Sequence, residues 1–343
     1  MFDCHKEMCN FHGEKVTLTG ADRTEMRDRR NNGRTRLNTG LEREGHPLPN
    51  HHSQGSYAMH TMVQDDECAY DIDDGAYFKE NDLNDANGNV ISPAQAKERV
   101  RSALAQDQRL ASEAEVHNNC VRQPYPQGYH IDIPVYRTLI SRDADGNRKE
   151  TYELASGDEW TVSDARQVSR WFKDQQANVG AHGKQLRKVV RLTKFYARSR
   201  RDWKEKTGSG ILMTRLVCDE FVPVADRDDE SLRETWAKIH SRLVLSLVVE
   251  HPVGDDPLAA EGDEKAAYLR DRLRDALKTL NVFDNFPTRR EARQAWDDVF
   301  ATDFFSKQPS PNDGGDNGSG KARFTVASES ASDRRDDGET RYG

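Results

Sequence analysis

The sequence has no run of 18 apolar residues, and its first residues, MFDCHKEMCNFHGEK, hold no apolar signal core. The expectation is therefore a cytoplasmic protein with no membrane partner. Cysteine is scarce: Cys4, Cys9, Cys68, Cys120 and Cys218 are odd in number and form no CxxC pair, which argues against a disulfide framework and for reduced thiols. The cluster Cys4, His5, Cys9 and His12 has the residue types of a zinc site, but its C-x4-C-x2-H spacing is atypical and zinc is not expected there. Nor is there an excess of basic charge. A net charge of −8 argues against a chain whose main task is to coat nucleic acid, since that requires a basic field.

What is present is a 343-residue chain, 35% hydrophobic and 32% charged, long enough for two domains. Residues 1–19 lack periodicity and read as a flexible tail, followed by a polar helix from about Ala21 to Leu41 that HPLPNHH breaks. Ser92-Pro93 starts a helix expected to reach about Arg109. Val116 to Gln123 and Tyr129 to Arg137 read as paired strands across PYPQG. From Ser163, read as a helix cap, the periodicity is helical: LRKVVRLTKFYARS carries an apolar stripe, Leu269, Leu273, Leu277 and Leu280 share a face, and Thr288 with Glu291 fits a capping box. The organisation expected is a mixed α/β core over 20–162, a helical bundle over 163–306, and a disordered tail over 307–343, where Gly, Ser, Asp and Pro dominate.

The chemistry lies in three short elements. Gly55-Ser56 is followed, after 14 intervening residues, by Asp71-Ile72-Asp73, and a later strand places Asp132 between Ile131 and Ile133. Residues two apart in a strand share a face, so Asp71 and Asp73 project together while Ile72 turns to the core, and a paired strand can bring Asp132 beside them. Such a cluster repels itself unless cations hold it, and hard oxygen ligands suit Mg²⁺ or Mn²⁺. Two ions roughly 4 Å apart serve in-line transfer of a phosphoryl-type group. Gly55 lets backbone approach a phosphate closely, and Ser56 adds a hydroxyl. Asp74, on the other face, reads as a turn residue. Between Lys184 and Lys206 ten of 23 residues are Lys or Arg, which fits a phosphate-attracting wall or a solvated helix face.

The order h-G-S, D-h-D, h-D-h resembles the nucleotidyltransferase superfamily with the DNA polymerase β-like core. The strings GSYAMHT, YDIDDGAYF, YHIDIPVYR, LRKVVRLTKFY and GSGILMTRLV resemble the bacterial CD-NTase family, in particular its DncV-type cyclic GMP-AMP synthases. The resemblance spans roughly residues 50 to 300. It implies an active site in the cleft between the α/β core and the helical lobe, with ATP and GTP as substrates and two Mg²⁺ ions for which Mn²⁺ substitutes. It further implies that Gln54, Gly55, Ser56 and Tyr57 face the donor nucleotide, that Asp71 and Asp73 bind both metals, and that Asp132 binds the one beside the attacking hydroxyl. Arg122, Lys194 and Ser209 match nucleotide-contacting positions, although a salt-bridged strand Arg, a solvated Lys and an ordinary N-cap Ser explain them as well. The implied product is 3′,3′-cyclic GMP-AMP, made without a template in antiphage defence and read by a separate effector. The terminal Gly343 is compatible with conjugation to other molecules, as in some relatives. Alternatives are a pyrimidine-containing product, a transferase acting on RNA or protein, and a catalytically dead nucleotide sensor.

Overall fold

The computed structural model describes residues 2–65, 70–85, 87–107, 112–125 and 128–309. The expected C-terminal tail beyond residue 309, with Gly343, lies outside the described residues, as does the end of the helix expected to reach Arg109.

Eight strands form one mixed sheet. Strand β1 (Asn50–Ser53) runs antiparallel to β2 (Asp71–Lys79), whose other edge is parallel to β5 (His130–Ile133) and β6 (Val135–Arg142). The register along β2 is the same before and after Pro134, so β5 and β6 are one long strand interrupted at a proline that has no N–H to give the ladder. Strand β4 (Val121–Pro124) pairs with β5 and with the short β3 (Glu115–Val116), while β7 (Arg148–Ser156) pairs with β6 and β8 (Glu159–Val162). The expected pairing of the segments on either side of PYPQG is present, with each segment split in two.

Beyond the N-terminal helix α1 (His5–Phe11), helices α2 (Gly20–Arg43) and α4 (Pro93–Ala105) cover the sheet, with a one-turn helix α3 (Gly55–Ala58) between them in sequence. Both long helices begin with capping boxes, Thr19 with Asp22 and Ser92 with Gln95, each cap contributing about 1 kcal/mol. Their apolar residues Leu37, Leu41, Val100 and Leu104 bury against Ile72, Phe78, Ile131 and Ile133 of the sheet. A second core joins α5 (Ala165–Asn178), α6 (Gly183–Tyr196), α7 (Gly210–Glu220), α8 (Asp228–Leu245), α9 (Glu264–Leu280) and α10 (Arg289–Phe300). Thr288 and Glu291 make the expected capping box, whereas α5 is capped by Asp164, which accepts from the Arg166 N–H at 3.1 Å, and not by Ser163.

The first residues are not a tail. Cys4, Met8, Phe11 and Val16 are fully buried in the helical core, and the Phe11 ring packs on Phe195, Phe300 and Phe305. Glu7 enters with them because Arg289 and Arg293 neutralise it at 2.8 and 2.9 Å. Arg293 also donates to the carbonyls of Gln308 and Pro309, so the chain is still held at residues expected to be disordered. The cluster Cys4, His5, Cys9, His12 does not converge: Cys4 is in the core and His12 faces Thr17. His5 and Cys9 instead meet Asp228, whose carboxylate takes the Lys188 ammonium at 2.9 Å. The Asp228 N–H donates to His5 Nδ1 at 3.0 Å, leaving the proton on Nε2, which is the wrong tautomer for a metal at that atom.

Candidate active site

Strand β2 has two chemically different faces. Ile72, Ala76 and Phe78 point into the core under α2, while Asp71, Asp73, Gly75 and Tyr77 share the opposite face by the two-residue period. The parallel register sets Asp73 beside Asp132 and Asp71 beside His130, and directly paired residues project to the same side. The antiparallel register of β4 then sets Arg122 beside Asp132. Three carboxylates and two basic groups thus line one patch of sheet.

Their charges are unequally compensated. Arg122 clamps Asp132 through two bonds, Nε to Oδ1 at 2.8 Å and a terminal nitrogen to Oδ2 at 2.7 Å, a fork geometry that Lys cannot reproduce. His130 Nε2 lies 2.5 Å from Asp71 Oδ1. Burial pushes the Asp71 pKa up, but that contact, with the charges of Arg122 and of Arg198 from the helical side, outweighs it and holds Asp71 below its ordinary 3.8. Asp73 has neither partner: burial, then repulsion by Asp132 and Asp71, raises its pKa to about 6.

Gly55 is where the main chain touches this cluster. Its φ of +61° is left-handed, and a Cβ there would sit 2.1 Å from Asp73 Oδ2. The turn is anchored by the Gln54 N–H donating to the Asp73 carbonyl at 2.8 Å. The Gln54 side chain does not face the cleft as expected from the resemblance. It is buried, donating to the Tyr77 hydroxyl at 2.7 Å and accepting from Tyr136 at 3.3 Å, in a space that exists because Gly75 has no side chain. Ser56 and Tyr57 follow in α3, where Tyr57 is partly buried with the Arg30 guanidinium 5.3 Å from its ring.

The residues from the helical lobe are less exposed than a solvated face would make them. Lys194 is 4% exposed and donates to Thr61 Oγ1 at 2.8 Å, and Thr61 in turn donates its N–H to the Ser56 carbonyl at 2.9 Å. Among the described residues no carboxylate pairs with the ammonium, and burial together with Arg198 and Arg191 lowers its pKa to about 7. Arg191 donates to the His60 carbonyl at 2.8 Å, a second tie between α6 and the segment after Gly55-Ser56. Ser209 caps α7, accepting from the Leu212 N–H at 3.3 Å, and the first residue of that helix, Gly210, adjoins Lys194. Elsewhere in the basic stretch Lys188 pairs with Asp228, Lys204 with Asp65 and Lys206 with Asp202, and Arg200 donates to the carbonyls of Asp298 and Val299, so only part of it faces open space.

Two contributors were not read from the sequence. His130 lies in the string YHIDIPVYR, and the parallel pairing that puts Asp132 beside Asp73 necessarily puts His130 beside Asp71. Gly75 had no such signal, because its need is set by Gln54, distant in sequence.

Residues 49–136 match the family model described as the nucleotidyltransferase domain of cyclic GMP-AMP synthase DncV-like proteins. The chain is also similar to Vibrio cholerae DncV cyclic AMP-GMP synthase in complex with the linear intermediate 5′ pppA(3′,5′)pG, at 18% identity and a TM-score of 0.67, covering 87% of this chain and 95% of that one. The same Vibrio protein with nonhydrolyzable GTP matches at 19% identity and TM-score 0.68, over 88% and 96% of the two chains. Escherichia coli DncV with 3′-deoxy GTP matches at 18% and 0.65, over 85% and 96%. Residues 49–136 therefore match the DncV-like nucleotidyltransferase domain, in a chain that shares the fold of Vibrio cholerae DncV over 87% of its length.

Proposed function

We propose that this protein is a template-independent cyclic dinucleotide synthase, joining ATP and GTP into 3′,3′-cyclic GMP-AMP. The observation that carries the reading is the register of β2 and β5, which gathers Asp71, Asp73 and Asp132 under Gly55 and leaves Asp73 with no Lys or Arg paired to it among the described residues. That donor set fits a hard divalent cation: all oxygen, anionic, and self-repelling until a cation is shared. Asp71 and Asp73 would hold two Mg²⁺ ions, or Mn²⁺ in their place, with Asp132 on the one nearer the attacking group. When bound, the ions lower the pKa of the attacking hydroxyl and neutralise the departing pyrophosphate.

The residues of the chain supply orientation and charge. The backbone at Gly55 approaches the triphosphate without a side chain in the way, and the Ser56 hydroxyl adds a donor. The 3′-oxygen of the acceptor attacks the α-phosphorus of the donor, the bond to the β-phosphate oxygen breaks, and pyrophosphate leaves. The linear product turns round, and a second such step closes the ring. Lys194, a buried amine that no carboxylate pairs with among the described residues, and Arg122, a fork able to bind phosphate once released from Asp132, are suited to the triphosphates. Vibrio cholerae DncV is known in complex with ATP and GTP, which supports the substrate choice. The cyclic product would serve in the cytoplasm as a messenger for a separate effector in antiphage defence.

Incubation of the full chain with all four NTPs and Mg²⁺, followed by phosphatase and mass spectrometry, tests the reading. A phosphatase-resistant compound with the mass of cyclic GMP-AMP is expected. A pyrimidine-containing ring corrects the product, and labelled RNA or protein without small cyclic products overturns the assignment.

A further inference from the structure

The two outer carboxylates each have a basic neighbour in the sheet, and the neighbours engage them differently. Arg122 occupies both oxygens of Asp132. His130 brings one ring nitrogen to one oxygen of Asp71, Oδ1, and so does not fill the carboxylate. The Asp71 side chain is 57% exposed while that of His130 is 19% exposed, and the buried Nε2 meets the Asp71 oxygen as a close ion-pair contact, off the direction of an ideal hydrogen bond. The main chain that carries the imidazole is tied to the neighbouring strand, because the His130 backbone N–H donates to the Tyr70 carbonyl at 3.1 Å, in the same ladder that carries Asp71. An exposed aspartate is otherwise free to rotate about two bonds, and stopping that rotation costs entropy when a ligand binds.

We propose that His130 is a positioning residue for Asp71: it holds one oxygen of the carboxylate so that the group is presented to a divalent cation in a single orientation. The proposal rests on the reading of Asp71, Asp73 and Asp132 as metal ligands. Groups that orient metal-bound carboxylates in this way typically change metal affinity by about 10–100-fold when removed.

The test uses the full chain without nucleotide, titrated with Mn²⁺ and followed by the electron paramagnetic resonance signal of the free ion. Wild-type protein binds Mn²⁺ and Asp73→Asn loses that binding. His130→Phe, which keeps a ring but no donor, and His130→Ala both weaken Mn²⁺ binding by about 10–100-fold. His130→Gln, which restores an N–H donor, stays closer to wild type, and thermal melting verifies that each variant is folded. Wild-type affinity, or tighter binding, in a folded donor-less variant overturns the proposal, as does a folded Gln variant as weak as Ala. If wild type shows no Mn²⁺ binding that Asp73→Asn removes, the metal-site reading itself fails. If that binding is present and only the His130 variants behave as wild type, the role of His130 alone is wrong.

Discussion

Asp73, half-buried, and Asp74, buried, are consecutive in one strand, yet the two faces of the sheet treat them in opposite ways. On the back face Asp74 receives the Arg34 guanidinium from α2 at 2.6 and 2.5 Å and the Ser53 hydroxyl at 3.0 Å. On the front face Asp73 has Asp71 and Asp132 as its nearest charged company, and no Lys or Arg pairs with it among the described residues. A buried carboxylate with a complete set of partners belongs to the fold, whereas one left among other carboxylates is stored repulsion that a cation can relieve. The difference separates structure from site where sequence alone shows only three acids in a row of four.

The sharpest way to break this comparison is to remove one charge from each face. Asp73→Asn is expected to abolish nucleotide transfer while leaving the protein folded. Its effect on stability has a definite sign. A carboxyl whose folded pKa of about 6 exceeds its ordinary 3.8 keeps its proton longer in the folded state, so wild type loses stability as pH rises through that window. Asparagine does not titrate, and Asp73→Asn should gain on wild type between those pH values and keep the gain above them, as measured by denaturant unfolding without metal. On the other face Arg34→Met leaves Asp74 buried and unpaired, with an expected loss of about 3–5 kcal/mol in the same measurement. Equal stability effects from the two variants would show that the faces do not differ.

Next in size is Gly55→Ala. A left-handed residue with a Cβ costs roughly 1–2 kcal/mol, and here the Cβ would also strike Asp73 Oδ2. Displacing a ligand carboxylate by even one ångström can reduce turnover about 100-fold. Initial rates of product formation test it, and a rate close to wild type would mean that the contact between the turn and Asp73 is not needed.

Much of the front face was legible because it depends on local rules. The two-residue period puts Asp71 and Asp73 together whatever surrounds them, and the isoleucines around Asp132 fix which way it turns. The back face was not legible: Asp74 was read as a turn residue because its partner Arg34 lies 40 positions earlier, on a helix whose placement no local pattern reveals. Asp74 is instead a strand residue, since the strand begins with the acids and continues to Lys79. Residues 1–19 failed for the same reason. Met8, Phe11 and Val16 are too few to make an amphipathic helix by themselves, and they become a helix by filling a gap between α8, α10 and α6. Gln54 shows the limit of a motif: its position beside Gly55 is as the resemblance implies, but Tyr77 and Tyr136 turn its amide away.

Lys194 offers the smallest effect and the most discriminating one, since it is the positive counterpart of Asp73: a buried group that no opposite charge pairs with among the described residues. Its folded pKa of about 7 lies below the ordinary 10.5, so the unfolded chain holds that proton more tightly and wild type should gain stability as pH rises from about 7 to 10.5. Lys194→Met removes the buried charge and fills a similar volume. It should be more stable than wild type at and below neutral pH, with the gap closing toward pH 10. A group kept at a cost to the fold has its use elsewhere, and turnover by Lys194→Met should fall with a rise in the KM for the triphosphate. If Lys194→Met instead loses stability at neutral pH and keeps its KM, the bond to Thr61 outweighs the desolvation, and Lys194 is a strut between α6 and the turn at Gly55-Ser56. In that event the front face would hold a single uncompensated charge, Asp73, and the phosphate-attracting role would fall to Arg122 and the exposed Arg198.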